Sequence, residues 1–573
     1  MLNDEVAGLF EELAELTKLE DLNPQSFRAR AYESAARATR SLPSPASEMS
    51  KAALVAVKGI GGSSADKILE FVEQGRIDKL ERLREQFSDD YRELVRIPGI
   101  GGKTAAKLRS ELGIESVEAL KEAIAAEKLR DLPGLGAKTE EKIARSIERL
   151  GLTGKDRRVP ISEALPAAER LVAELRSTEG VQDAMVCGSL RRMRETIGDV
   201  DILVSSHDPD SLARRVRELP AVREIIGAGD TKISFLTQNG LQVDVRVVEP
   251  GQFGAATLYF TGSKAHNIRL RQIAQQRDLL LNEYALADAE DGSVVAAATE
   301  EDVYGALDLA WIPPPMREDD GEIERARIGP IDVVSLSDIN GDLHVHTDLS
   351  GDGEASLEEM VAAAAGRGYG YVAITDHAED LAINGASREQ MLRQRLEIGE
   401  LQESYPDLRI LHGSELNIAP DGGVDYDPEF LSGFDYTVAS IHSHFDLPQD
   451  EQTVRIITAM GNPNVTAIGH LSGRMIGRRP GVEFDVDAVL EAAALTGTAI
   501  EINGSLNRLD APSGLIRKAH GRDIYFVIDT DAHRVSEYDQ MRWGVLYAQR
   551  GWLGPSQCVN TWSVERFLEF IEA

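Results

Sequence analysis

Asp199 and Asp201, answered by Asp244, constrain what this 573-residue chain can fold into more than any other feature. Two carboxylates on either side of Val200 leave the same face of a strand, because side chains repeat every two residues. The run Leu241 to Val248 reads as a second strand, from which Asp244 comes in as a neighbour. Three converging carboxylates repel one another, and divalent cations relieve that repulsion. Two metal ions about 3.5–4 Å apart are the usual apparatus for in-line displacement at phosphorus. Just upstream, a strand ending at Cys187 runs into Gly188-Ser189 and then Arg191 and Arg192. A glycine lets backbone approach a phosphate, and a hydroxyl and a guanidinium bind its oxygens. A triphosphate and its metals would therefore share one small site.

The stretch Gly188 to Asp201, with Gly198 before the first aspartate, resembles the palm motif of X-family DNA polymerases, the polymerase beta group of nucleotidyltransferases. Tyr259-Phe260-Thr261-Gly262-Ser263 is similar to that family's nucleotide-pocket motif. The resemblance implies Mg2+ or Mn2+ held by Asp199, Asp201 and Asp244, and a triphosphate held by Gly188, Ser189, Arg192 and Gly198. It implies that Tyr259, Phe260 and Gly262 lie beside the incoming sugar, and that Asn267 and Arg271 read the edge of the new base pair. Two positions depart from the family. Lys264 stands where the vertebrate enzyme carries an acid, and Gln242 replaces an arginine that pairs with the third aspartate.

The chain is long enough for three to five domains. Its apolar fraction of 42% suffices for ordinary cores, and no apolar run approaches a membrane span. The acidic N-terminus lacks a signal-peptide pattern, and two cysteines, Cys187 and Cys558, make no disulfide framework. A reducing cytoplasm is expected, with no membrane partner and a monomeric state. Net charge is −34, yet residues 1–150 contribute only −3 and residues 151–300 only −4, while residues 301–573 contribute −27. The near-neutral first half leaves local basic patches free to meet DNA phosphates.

Three segments in that half repeat one theme: Val57 to Gly61, Ile97 to Gly101 and Leu132 to Gly136. Each carries a glycine pair, Gly59 and Gly61, Gly99 and Gly101, Gly134 and Gly136, just before a helical run. This resembles the helix-hairpin-helix motif, whose exposed amides at a helix start bind backbone phosphate without reading sequence. The first 80 residues resemble the family's lyase domain. On that resemblance Lys67 is the amine that attacks a deoxyribose-phosphate, with Tyr32 and Arg28 beside it. Phe27 and Ser63 stand where the family has a histidine and a lysine.

Beyond residue 340 lie nine of the eleven histidines: His344, His346, His377, His412, His442, His444, His470, His520 and His533. Most end apolar runs, and helical stretches separate those runs, which predicts repeated strand-helix units closing into a barrel with ligands at the strand ends. Imidazole and carboxylate together suit zinc, manganese or iron. This half resembles the PHP (polymerase and histidinol phosphatase) domain. The resemblance implies a cluster of up to three Mn2+, Zn2+ or Fe2+ ions on His344, His346, Asp352, His377, Glu415, His442, His470, Asp531 and His533. One residue is inserted before Asp352 relative to the family's pattern. Asp376 is expected behind an imidazole rather than on a metal.

The expected architecture is multidomain α/β. A helical hairpin region comprises a lyase-like part, 1–85, and a second DNA-binding part, 86–157. An α+β nucleotidyltransferase palm, 158–250, and thumb, 251–311, follow. A linker, 312–338, leads to a distorted β/α barrel, 339–573. The expected partners are gapped or primer-template DNA and deoxynucleoside triphosphates. The expected activities are gap-filling synthesis in base excision repair and 3′-5′ exonuclease action, with abasic-site cleavage as a further one. The competing reading is a DNA-end-binding scaffold with a weak polymerase site and a phosphatase barrel.

Overall fold

The computed structural model describes the chain except residues 1, 24, 25, 41, 43–45, 98, 99, 150–157, 230, 382 and 573. The chain divides into two units, Met1–Arg157 and Arg158–Ala573.

The first unit is helical, with one core running from Val6 to Ile147. Its hairpins share a construction. The amides of Ile60, Ile100 and Leu135 donate to the carbonyls of Val57, Ile97 and Leu132 at 3.1, 2.8 and 3.0 Å. Each donor's apolar side chain is buried, which pins the turn to the core and leaves the following glycine outside. Gly61 and Gly101 are the extended N-caps of helices Gly62–Gln74 and Gly102–Leu112, and Gly136 precedes helix Ala137–Arg149. Gly59 has φ +101°, and a Cβ there would press on Ser34 and Ala38. Gly99 lies outside the described residues.

The second unit opens with a five-stranded sheet. Its strands are β1 (Val181–Val186), β2 (Asp199–Ser206), β3 (Val222–Ala228), β4 (Lys232–Thr237) and β5 (Gln242–Val248), in the order β1-β2-β5-β4-β3. Only β2 and β5 run parallel, pairing Asp201 with Asp244. Helix Ile161–Arg176 buries Ile161, Leu165, Leu171 and Leu175 in the palm core.

Helices Phe253–Thr261, Lys264–Gln275 and Glu300–Ala306 and a small antiparallel ribbon at 279–296 form the thumb. Residues 312–338, expected as a linker, behave otherwise. Ile312, Met316, Ile323 and Ala326 are buried in the thumb core. Two of the charges that made this stretch look solvated are themselves buried and paired. Arg317 Nη1 donates to Glu300 Oε1 at 2.6 Å, and Glu322 Oε1 lies 2.6 Å from His266 Nδ1.

The rest is a parallel sheet of seven strands in chain order: β6 (Gly341–Val345), β7 (Tyr371–Ile374), β8 (Arg409–Asn417), β9 (Tyr436–Ser440), β10 (Ala467–Gly469), β11 (Ala499–Asn503) and β12 (Phe526–Asp529). Beyond β12, Ala532 bridges back to Val345, and its carbonyl accepts from the His346 amide at 2.8 Å. The barrel is thus nearly closed. Its strands are buried on both faces, as parallel strands under crossover helices must be.

Candidate active sites

In the palm, residues matched across a parallel ladder present their side chains together, so the register between β2 and β5 puts Asp201 and Asp244 side by side. Asp199 starts β2 two residues earlier, on the same face. Gly188, at φ +61°, abuts this group so closely that a Cβ would collide with the Asp201 carboxylate. The Cys187 amide donates to the Asp201 carbonyl at 2.8 Å. The predicted phosphate-binding turn and the carboxylates therefore meet.

Burial pushes the Asp201 carboxyl up to about 7, with the charges of Asp199 and Asp244 adding to it. Asp244 goes the other way. Burial would raise it, but hydrogen bonds from Lys232, Ser234 and Gln242 hold it below the ordinary range. Lys232 Nζ lies 2.6 Å from Asp244 Oδ2, and Gln242 Nε2 donates to Oδ1 at 3.3 Å. The cation missing at position 242 is thus supplied by the neighbouring strand β4, which sequence reasoning did not identify.

Around this centre, Arg192 is held by Glu318 at 3.2 Å. Tyr259 and Phe260 meet edge to face with centroids 5.2 Å apart, and the Arg246 guanidinium lies 5.0 Å from the Phe260 ring. Asn267 Nδ2 donates to the Tyr259 carbonyl at 2.7 Å, tying the second thumb helix to the first, while Arg271 stays exposed. Ser189 is half-buried and Gly198 exposed. Gly262 has φ +68°.

In the helical unit, Lys67 Nζ donates to Ser63 Oγ at 3.0 Å and lies 5.6 Å from the Tyr32 ring centroid. Lys79 was not anticipated. It sits over the same ring at 5.1 Å and donates to the Tyr32 hydroxyl at 3.3 Å. Arg28 is paired with Asp21 and Glu20.

The barrel brings together the histidines spread over residues 344–533. Three overlapping triads, His346/His377/His533, His344/His346/Asp531 and His377/Glu415/His442, each gather ligand atoms within 4.8 Å of one another. Glu415 is the hub. His377 Nδ1, His470 Nε2 and His442 Nε2 lie 2.8, 2.9 and 3.1 Å from its oxygens. Asp352, despite the inserted residue, has its Oδ2 3.6 Å from both His377 Nε2 and His533 Nε2.

Among the described residues, the buried Nε2 atoms of His344 and His346 make no hydrogen bond. Orphaned buried groups of this kind are costly unless something binds them. Together with their imidazole and carboxylate chemistry they fit a cluster of metal ions. His470 and Asp531 adopt positive φ, of 24° and 53°, a strained backbone state common at functional sites.

A supporting layer surrounds these side chains. Glu501 Oε1 lies 2.8 Å from His344 Nδ1, and Asn417 Oδ1 lies 2.7 Å from His442 Nδ1. Asn503 Nδ2 donates to Asp531 Oδ2 at 3.1 Å. Asp376 accepts from the amides and hydroxyls of Thr347 and Ser350 and from Gln394, so it secures the loop after His346 rather than an imidazole. His412 stacks on Phe434 away from the triads, His444 is exposed, and His520 packs near Trp552. Glu501 was missed because a buried acid inside the apolar run Ala499 to Ile502 carries no sequence signal beyond its own presence.

Comparison with known proteins follows the same divisions. Residues 1–77 match a helix-hairpin-helix domain, and residues 91–149 a SAM-like helix-hairpin-helix tandem. Residues 158–243 match the DNA polymerase beta palm, 256–318 the DNA polymerase beta thumb, and 342–503 the PHP domain. The chain is 37% identical to the DNA polymerase/3′-5′ exonuclease PolX of Bacillus subtilis (strain 168), covering 99% of this chain and 100% of that protein. It is 27% identical to DNA polymerase lambda of Rattus norvegicus, over 54% of this chain and 55% of that one. A probable phosphatase of Acetivibrio thermocellus is 29% identical over 40% of this chain and 94% of its own. With the hairpin unit, palm, thumb and histidine-lined barrel all matched in order along the whole length, the chain belongs to the bacterial PolX family, the family X DNA polymerases with a C-terminal PHP domain.

Proposed function

We propose that this chain is a DNA polymerase that fills short gaps, as in base excision repair, and trims 3′ ends in its PHP barrel. The observation that carries the polymerase half is the pairing of Asp201 with Asp244 beside the Gly188 turn. Ser189, Arg192 and the Gly198 backbone hold the triphosphate, and Tyr259 and Phe260 crowd the sugar so that a ribose 2′-hydroxyl is excluded. The primer 3′-oxygen forms a bond to the α-phosphorus, the bond to the bridging oxygen breaks, and pyrophosphate leaves. Asp244 takes the primer's proton. Divalent ions on the three carboxylates would neutralise the triphosphate and acidify the primer hydroxyl. The helical unit holds backbone phosphates of the gap through its hairpin amides.

In the barrel, the orphaned nitrogens of His344 and His346 and the Glu415 hub support metal-assisted hydrolysis of a terminal phosphodiester. Water forms the new bond to phosphorus, and the 3′-oxygen of the penultimate nucleotide leaves.

A 5′-labelled primer in a one-nucleotide gap, with manganese, tests both halves. Extension lost only in Asp244→Asn, and shortening lost only in His442→Ala, supports two separate sites. A wild-type chain that neither extends nor trims would favour the scaffold reading. A gap preference that persists when the helical unit is removed would count against the repair role.

A further inference from the structure

The segment Arg192–Gly198, whose residues Thr196–Ile197 pair with Val159–Pro160, joins the two halves of the palm site, and the barrel domain grips it. Arg550 ends helix Met541–Arg550 of that domain. Its Nη1 donates to the Arg192 carbonyl at 2.9 Å, to the Pro315 carbonyl at 3.3 Å and to Glu318 Oε1 at 2.9 Å. One helical turn earlier, the Tyr547 hydroxyl donates to Glu195 Oε1, and Arg474 Nη1 lies 3.1 Å from the same oxygen. Gly477 packs against Pro160 so tightly that a Cβ would collide with it.

Glu318 Oε1 is the shared element. It receives Arg550 from one side and Arg192 Nε, at 3.2 Å, from the other. Arg192 Nη1 donates to the Thr261 carbonyl, while Nη2 makes no hydrogen bond among the described residues. The side chains of Arg192, Glu318 and Arg550 are 12%, 22% and 12% exposed, so solvent screens these contacts little. A long guanidinium arm normally loses rotamer freedom when it captures a phosphate. An arm already fixed at two of its nitrogens does not.

We propose that Arg550 is a positioning residue for nucleotide binding. Through Glu318 and the Arg192 carbonyl it holds the Arg192 guanidinium ready for the triphosphate, which makes the PHP domain a structural part of the polymerase. This rests on the polymerase reading above. Neither Arg550 nor Glu318 touches the histidine cluster, so the effect is confined to synthesis.

The test uses the full chain on a one-nucleotide gap, with KM for the nucleotide, kcat and the trimming rate measured for each variant. Arg550→Ala is expected to raise KM about tenfold with kcat within about twofold and trimming unchanged, since small misplacements of binding groups cost about this much or more. Arg550→Lys recovers part of the loss. Arg192→Ala combined with Arg550→Ala is no worse than Arg192→Ala alone, because one acts through the other. Wild-type KM in Arg550→Ala, or losses that multiply in the double variant, would overturn the proposal. If Arg550→Ala also loses trimming through misfolding, Glu318→Gln decides. It leaves the barrel helix intact, and a raised KM supports the proposal while an unchanged one sinks it. A wild-type chain that extends no primer would instead overturn the polymerase reading itself.

Discussion

Glu300 and Arg317 form a fully paired contact inside the thumb. Arg317 Nη1 and Nη2 reach the two Glu300 oxygens at 2.6 and 3.1 Å, and the arginine side chain is wholly buried. Arg191, next to the palm's Gly188-Ser189 turn, adds bonds to the same two oxygens at 2.8 and 2.9 Å. One carboxylate therefore ties palm to thumb. Burial alone would raise its pKa, but Arg317 and Arg191 hold it far below the ordinary carboxylate range.

Removing that charge leaves two cations facing each other out of water. Glu300→Gln is expected to destabilise the palm and thumb by about 3–5 kcal/mol, the cost of breaking a buried pair by one partner. Denaturant melts of the full chain measure it. The pH dependence has a definite sign. The pKa is lowered on folding, so this contribution is complete above the ordinary value of 4.5 and is lost progressively as pH falls from there through the far lower folded value. The acid limb of the stability curve should flatten in the variant.

Asp244→Asn should cut primer extension by about 100-fold or more, a cost typical of misplacing a reacting group, while leaving trimming unchanged. Lys232→Ala frees Asp244 from its 2.6 Å partner and should lower extension less, because Gln242 still donates to the carboxylate. Single-turnover extension on gapped DNA separates the two. Equal losses would mean that Lys232 itself contacts substrate.

Glu501→Gln keeps the shape behind His344 but removes the charge that orients it at 2.8 Å. Metal affinity or trimming is expected to fall by about 10–100-fold, as for other partners of ligating histidines. Metal content after dialysis against graded chelator reads this directly. Extension should not change.

Without metal, carboxylate neighbours push His377 up to about 10 and His533 up to about 9, against the opposing effect of burial. Both are then protonated at pH 8, and an imidazole must lose its proton to bind a metal. Metal loading at pH 8 should therefore release protons and tighten as pH rises towards 10. Calorimetric titration in buffers of different ionisation enthalpy counts the protons.

The hairpin glycines are expected to differ. Gly59→Ala forces a side chain into φ +101° against Ser34 and should cost about 1–3 kcal/mol. Gly61→Ala meets open space at an extended N-cap and should be nearly neutral. Thermal melts of the full chain compare them.

The order of parts could be read from local patterns. Alternating aspartates, paired glycines before helices and histidines at the ends of apolar runs are all short-range signals. They depend on backbone periodicity, which a sequence carries openly. Lys232, Glu501 and Lys79 left no such trace. Each acts on a residue that meets it only through a strand neighbour or a helix contact. The stretch 312–338 looked like a linker because its charges suggested solvent, and those charges turned out to have buried partners more than 15 residues away.

What the sequence determined by itself was the chemistry available: three acids and a Gly-Ser turn in the palm, and a large set of imidazoles and acids in the barrel. The tertiary structure decided which of these share a site and what holds them there. Only the register of β2 on β5 makes Asp201 and Asp244 neighbours. Only the barrel's near-closure brings Asp531 and His533 to His344 and His346. Only packing sets Arg550 against Glu318. Pairing across strands and burial of charge are properties of the folded whole, because each depends on atoms that the chain holds far apart until it folds.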